Sequence, residues 1–216
     1  MHALLIGATG ATGKDLLDLL LKDGFFHQVD IFVRRDPGMQ HKKLKIHVID
    51  FEKPEQWQCL VKGDVLFSCL GTTLKTAGGK DAQWKIDYDY QFQFAKIARE
   101  NNVNHYVLIS SAFSSPKSLF YYPRMKGRLE EAVKALGFPK LSIFNPPALI
   151  RKNSDRTIEV AGVKAIQFFN KIGIFRSQKP LSTEILAQAM INSAKTKEKG
   201  IFTLKGKAIW KCAQSR

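Results

Sequence analysis

The sequence predicts a doubly wound parallel α/β sheet carrying a small C-terminal substrate lobe, and three observations lead there. Short runs rich in Val, Ile, Leu and Phe recur through the first two-thirds of the 216 residues, as strands covered on both faces would. Amphipathic stretches of helical period alternate with them. A glycine-spaced turn, GATGATGK (7–14), joins the first run to the first such stretch.

In chain order, HALLIGA (2–8) reads as the first strand and GKDLLDLLLKDG (13–24) as the first helix. QVDIFVR (28–34), KIHVIDF (45–51) and DVLFSCL (64–70) follow as strands, and DYDYQFQFAKIARENN (87–102) as a helix. HYVLISS (105–111), MKGRLEEAVKALG (125–137) and LSIFNPP (141–147) continue the strand–helix–strand order. Gly24 and Gly137 stand where helix C-cap glycines are found. Past residue 150 a helix is expected near 159–172, another over STEILAQAMINSAKT (182–196) and a late strand at GIFTLKG (200–206). The chain is therefore read as a single domain over 1–216, with 148–200 forming the lobe at the mouth of the sheet. Phe168, Phe169 and Phe175 read as core of that lobe.

Composition narrows the function classes. A 44% hydrophobic, 25% charged chain is globular rather than disordered. Its formal charge of +15 invites an anionic partner, yet the lysines are scattered and no tract of five like charges occurs. With no nucleic-acid-binding motif beside that charge, no specific nucleic-acid partner is expected. Cys59, Cys69 and Cys212 are too few and too dispersed for a disulfide framework or a zinc site. No apolar run reaches 18 residues, so no membrane insertion is expected. Together these features lead us to expect a soluble, unprocessed protein of the reducing cytoplasm.

The glycine turn selects the ligand. A nucleotide-hydrolysing P-loop would need Gly where Ala8 stands and a Ser or Thr where Asp15 stands, and both positions fail. A dinucleotide site needs a strand, a tight glycine turn and a helix whose N-terminus faces a pyrophosphate, and all three are present. Gly7 would permit the turn, Gly10 the close approach of the pyrophosphate, and Gly13 the packing of helix on strand; Thr9, Ala11 and Thr12 complete the loop. The second strand ends in Arg34 and Arg35 rather than in the Asp or Glu of an NAD site. A guanidinium pair there suits a 2′-phosphate, which favours NADP over NAD.

Chemistry is signalled by YPRMK, which places Tyr122 and Lys126 one helical turn apart after a strand ending in Ser110 and Ser111. A phenol is a poor proton donor and acceptor at neutral pH, and an adjacent ammonium moves it towards the working range. Pro123 fits only the first turn of the helix that follows.

With these residues in view, the chain resembles the atypical or extended short-chain dehydrogenase/reductase superfamily, a Rossmann-like fold. The carrying motifs are the glycine turn, SCLGTT (68–73), LISSAF (108–113) and Tyr-x-x-x-Lys. IDFEK (49–53) and CLGTT (69–73) are similar to stretches of the branch that contains the HIV Tat-interacting protein. The resemblance implies Gly7, Gly10 and Gly13 at the pyrophosphate, Arg34 or Arg35 at the 2′-phosphate, and Asp50 and Phe51 flanking the adenine. It also implies Leu70 and Gly71 beside the cofactor, Ser111 as the catalytic serine with Ser110 in reserve, and Tyr122 as proton donor with Lys126 as its partner. Two features depart from the family: Asn145-Pro146-Pro147 replaces the usual Arg-Pro-Gly, and KIDYDYQF offers no counterpart to the Asn of the classical tetrad.

The expected function is an NADP-dependent oxidoreductase that passes a hydride between nicotinamide and a small carbonyl or alcohol. The alternative is an NADPH-binding regulator or sensor with little turnover and a protein partner.

Overall fold

The computed structural model describes residues 1–150 and 180–215. The expected helix at 159–172 and Phe168, Phe169 and Phe175 lie outside them. Strands β1 (His2–Ile6), β2 (Gln28–Val33), β3 (Leu44–Val48), β4 (Val65–Ser68), β5 (His105–Ile109), β6 (Lys140–Asn145) and β9 (Gly200–Lys205) form one parallel sheet in the order β3-β2-β1-β4-β5-β6-β9. A separate parallel pair joins β7 (Leu149–Ile150) to β8 (Leu181–Ser182). Helices are α1 (Ala11–Lys22), α2 (Leu74–Ala77), α3 (Lys80–Trp84), α4 (Tyr90–Glu100), α5 (Tyr121–Ala135), α6 (Thr183–Lys195) and α7 (Lys207–Gln214). Lys85–Asp89, between α3 and α4, is a π-helical turn.

Period-two alternation explains why the strands read as unbroken apolar runs. Ala3 and Leu5 of β1 enter one core with Leu16, Leu20, Met190 and Ile209 from α1, α6 and α7. Leu4 and Ile6 enter the other, with Trp57, Phe94, Leu129 and Val133 beneath α4 and α5. Each face of the sheet is thus roofed, as an all-parallel sheet requires.

Two expectations change. The helix expected at 182–196 inside the 148–200 lobe, and the late strand expected at 200–206, belong to the main body: α6 buries Leu186, Met190 and Ile191 with α1, and β9 pairs with β6. Their apolar faces are satisfied by the sheet itself. Gly137 does follow α5 at φ 68°, but Gly24 is no left-handed cap. There α1 ends at Asp23 in an extended conformation, its N–H donating to Leu19 O at 3.0 Å and its carboxylate accepting from Phe25 N–H at 2.9 Å.

At the amino-terminal edge of the sheet, buried His105 pairs with Ser142 Oγ at 3.0 Å, and Ser193 Oγ donates to Ser142 at 2.8 Å. Burial first, and the nearby Lys140 charge second, hold the imidazole pKa down to about 3. The unfolded chain takes up this proton near pH 6.5, so the unfolded state binds more protons and stability falls as pH drops from 6.5 towards 3. The expected cost at pH 5 is about 2 kcal/mol. Urea unfolding of His105→Gln at pH 7 and pH 5 should therefore show a smaller acid loss than the parent; equal losses would remove His105 as the cause.

Candidate functional site

The sheet order reverses between β1 and β4, and the loops leaving the carboxyl ends of these strands make the crevice where such folds bind ligands. Gly7 leaves β1 at φ 80°, a conformation that suits glycine. A Cβ there would lie 2.4 Å from the Cys69 carbonyl carbon, so the two loops touch backbone to backbone. Gly10 N–H donates to Gly7 O at 3.0 Å and closes the turn.

Gly10 is also the N-cap of α1, with no side-chain cap and no acidic residue in the first turn. The N–H groups of Ala11, Thr12 and Gly13 have no acceptor four residues earlier within the helix, which leaves a positive end open to an anion. Thr9 and Gly10 are exposed, whereas Thr12 is 7% exposed and has little beyond its backbone to offer. Gly13 is fixed by packing, since a Cβ there would sit 1.9 Å from Gly7 O.

Arg34 and Arg35 follow β2 directly, and both are exposed. Asp50 is exposed as well, its carbonyl accepting from Trp57 Nε1 at 2.7 Å. Phe51 is 4% exposed, and its ring packs on Tyr90, Trp57 and Phe94. Only its backbone is therefore free to face an adenine. Leu70 and Gly71 lie in the loop that leaves β4.

On α5, Tyr122 occupies the first turn, 36% exposed, and the Lys126 Nζ lies 5.9 Å from its ring centroid. Lys126 is itself 2% exposed. Burial alone would lower its ammonium pKa. Tyr122, the hydrogen-bonded Asp87 carboxylate and Glu130 outweigh burial and hold it above the ordinary lysine value.

The two candidate serines differ. Ser110 is buried and donates to Glu130 Oε1 at 2.5 Å, while half-buried Ser111 donates only to the neighbouring Ala112 O at 3.1 Å. Ser111 has the freer hydroxyl. The loop behind it folds back on α5, Ser115 N–H donating to Pro123 O at 3.1 Å. In that loop Phe113 takes φ 62°, a costly conformation for a bulky residue of the kind that gathers at functional sites.

Sequence reasoning missed four residues here. Asp87, in the π-helical turn, lies 3.0 Å from Lys126 Nζ and accepts from Thr72 N–H at 2.8 Å. Glu130 gathers Ser110, Ser114 and Asn145 on one oxygen. Asn145, where the family's Arg was expected, also donates to Ser111 O at 2.9 Å and so ties the end of β6 to the serine loop. Gly127 allows that loop to lie against α5, for a Cβ would meet Ser115 C at 2.2 Å. A glycine inside a helical pattern was the available signal.

A cleft of about 430 Å³ lined by Asp15, Asp18, Glu184 and Trp210 lies between α1, α6 and α7, on the helix layer rather than at these strand ends. Among the described residues no His, Cys, Asp or Glu cluster could hold a metal ion. Among the same residues, no helix is long and apolar enough to cross a membrane.

Residues 7–160 match a family model described as NAD(P)H-binding. The chain is 30% identical over 218 residues to "Protein fmp52, mitochondrial" of Aspergillus clavatus, covering 97% of this chain and 93% of that one. It is 35% identical over 150 residues to "Protein HTATIP2" of Rattus norvegicus, covering 68% of this chain and 62% of that one. In fold it is similar to the Bordetella bronchiseptica enzyme WbmH in complex with NAD+, at a TM-score of 0.69 and 15% identity over 94% of this chain and 74% of that one. A short-chain dehydrogenase/reductase superfamily protein from Agrobacterium tumefaciens with bound NAD gives a TM-score of 0.72 at 14% identity, over 95% and 77%. The mitochondrial names of the fungal relatives overturn the expectation of a cytoplasmic protein. That expectation rested on the dispersed cysteines and the lack of a long apolar run, neither of which carries an address.

Proposed function

Because the chain belongs to the NAD(P)H-binding family of Rossmann-type, short-chain dehydrogenase/reductase-like domains, we propose that it is an NADP-dependent oxidoreductase acting on a small carbonyl or alcohol. The observation that carries this reading is the buried Lys126 ammonium beside Tyr122, on the helix that follows the β5 strand end. The pocket suits a dinucleotide: the turn at Gly7 and Gly10 brings backbone close, and the bare amino end of α1 offers N–H groups to a pyrophosphate. Thr9, Ala11, Thr12 and Gly13 complete that cradle, and Arg34 and Arg35 take the 2′-phosphate as guanidinium donors. Asp50, the Phe51 backbone, Leu70 and Gly71 line the path between.

Bound NADPH would supply the hydride that goes to the carbonyl carbon. Ser111 holds the substrate oxygen, Tyr122 delivers the proton to it, and Lys126 keeps the phenol in place and reaches the nicotinamide ribose. In the alcohol-to-carbonyl direction Tyr122 takes the proton back. The mitochondrial relatives point to the same compartment for this chain.

Fluorescence titration should show NADPH binding at least about tenfold tighter than NADH, a difference of about 1.4 kcal/mol. Arg34→Ser with Arg35→Ser should erase it. Equal, weak binding of both coenzymes by the parent would overturn the assignment of the arginines.

A second reading, an NADPH-dependent sensor, is favoured by one observation. Leu119 and Phe120, just before Tyr122, are 92% and 77% exposed, a surface that a protein partner could cover. Absence of turnover across aldehydes, ketones and quinones, with tight NADPH binding retained, would favour it.

A further inference from the structure

Asp87 is the buried carboxylate that pairs with Lys126, and the mechanism above leaves it without a task. It is completely buried, and so is its ammonium partner: the side chains of Lys126 and Asp87 are 3% and 1% exposed, with Nζ 3.0 Å from Oδ1. Its second oxygen accepts from Thr72 N–H at 2.8 Å, in the loop that follows β4. Gln83 Nε2 donates to Thr72 O at 3.1 Å, and Gln91 Nε2 donates to the Asp87 carbonyl at 2.8 Å. Gln91 in turn accepts from Ser68 Oγ at 2.8 Å, at the end of β4. The π-helical turn that carries Asp87 is a rare form that is frequent at functional sites. A buried ion pair is not an economical way to stabilise a fold, since desolvation offsets most of the attraction.

We propose that Asp87 is a positioning residue acting through Lys126: it fixes the ammonium beside Tyr122 and cancels much of its charge, so that Tyr122 is poised to give a proton rather than to take one. A bare ammonium next to a phenol favours the phenolate, whereas an ammonium already paired with a carboxylate exerts a far weaker pull. The site is thereby biased towards carbonyl reduction. The other groups facing the pair do not replace Asp87. Glu130, one turn along α5, has its charge shared among Ser110, Ser114 and Asn145. Lys80 lies over the Tyr121 ring, with Asp81 also acting on Tyr121, and Lys85 and Asp89 of the π-helical turn are exposed.

The inference rests on the reading of Tyr122 and Lys126 given above, but its test needs no turnover. The ultraviolet phenolate band of Tyr122 is isolated by subtracting the Tyr122→Phe spectrum in each background, and its midpoint is followed with pH. Asp87→Asn should lower the midpoint by about one pH unit when Lys126 is present. In a Lys126→Met background the same change should lower it much less, because no ammonium is left to be freed of its partner. Asp87→Glu should restore the parent midpoint. No shift, a rise, or an equal shift in both backgrounds would overturn the proposal. Asp87→Ser provides the same charge removal if Asp87→Asn does not fold; failure of both to fold would assign Asp87 to the scaffold and overturn it too. A catalytic failure of Tyr122 would show in turnover and leave this midpoint untouched, so the two readings fail separately.

Discussion

Replacing Tyr122 by Phe is expected to lower kcat for carbonyl reduction by about 10²–10⁴-fold, the usual share of a positioned proton donor. Binding of NADPH should be essentially unchanged. The two effects separate because the phenolic oxygen is the only atom removed. The ring stays in the first turn of α5 with the Lys126 Nζ 5.9 Å from its centroid, and the glycine turn at residues 7–13 is not touched. Steady-state kinetics and coenzyme fluorescence on the same preparations make the comparison. Unchanged kcat in Tyr122→Phe would take the phenol out of the mechanism. A parallel loss of coenzyme affinity would mean that the phenolic oxygen also contacts the coenzyme.

Gly13→Ala should damage fold and binding together. The new methyl group would stand 1.9 Å from Gly7 O and 2.8 Å from Gly7 C, both backbone atoms with no rotamer through which to retreat. Overpacking of this kind costs about 1–3 kcal/mol, against a gain of up to about 1 kcal/mol in helix propensity. A net loss near 2 kcal/mol would lower Tm by roughly 4–8 °C in a chain of this size. Moving Gly7 away from the α1 amino end also opens the pyrophosphate cradle, so NADPH affinity should fall as well. Gly10→Ala is the informative companion. Its Cβ would meet Gly7 O at 3.3 Å and Cys69 O at 3.9 Å, far looser contacts than at Gly13, so it should stay close to the parent Tm while losing the coenzyme. If Gly13→Ala melted like the parent, the tight seat of α1 against β1 would be wrong.

The sheet was legible because its strands are buried on both sides: Ala3 and Leu5 serve one core, Leu4 and Ile6 the other, and no polar residue interrupts the run. The glycine turn was legible because its constraints are steric and local. The floor of the site was not. Gln83, Asp87 and Gln91 are polar residues spaced every four along the chain, with nothing local to mark them as interior, yet they are 4%, 0% and 0% exposed. Their burial depends on hydrogen bonds to Thr72 and Ser68, residues that come together only when the sheet closes. The π-helical turn also shifts the register by which Asp87 and Asp89 would have been told apart. Ser110 was separable from Ser111 only through Glu130, twenty positions further along the chain. The destiny of 182–206 was misjudged for a related reason: a helix and a strand after an irregular stretch look like an appendage until the edge of β6 is seen to need a partner.

That added strand has a consequence for the protein in solution. Among the described residues β9 ends the sheet on the β6 side, with Ile201 55% exposed and one row of main-chain N–H and C=O groups turned away from β6. Such a border can template the strand of another molecule. Lys197, Lys199, Lys205 and Lys207 crowd its two ends, so that two copies approaching edge to edge meet like charge first. Resistance to clumping is then electrostatic rather than geometric, and concentrated salt, which shortens the range of that repulsion, is the condition under which this protein would come out of solution.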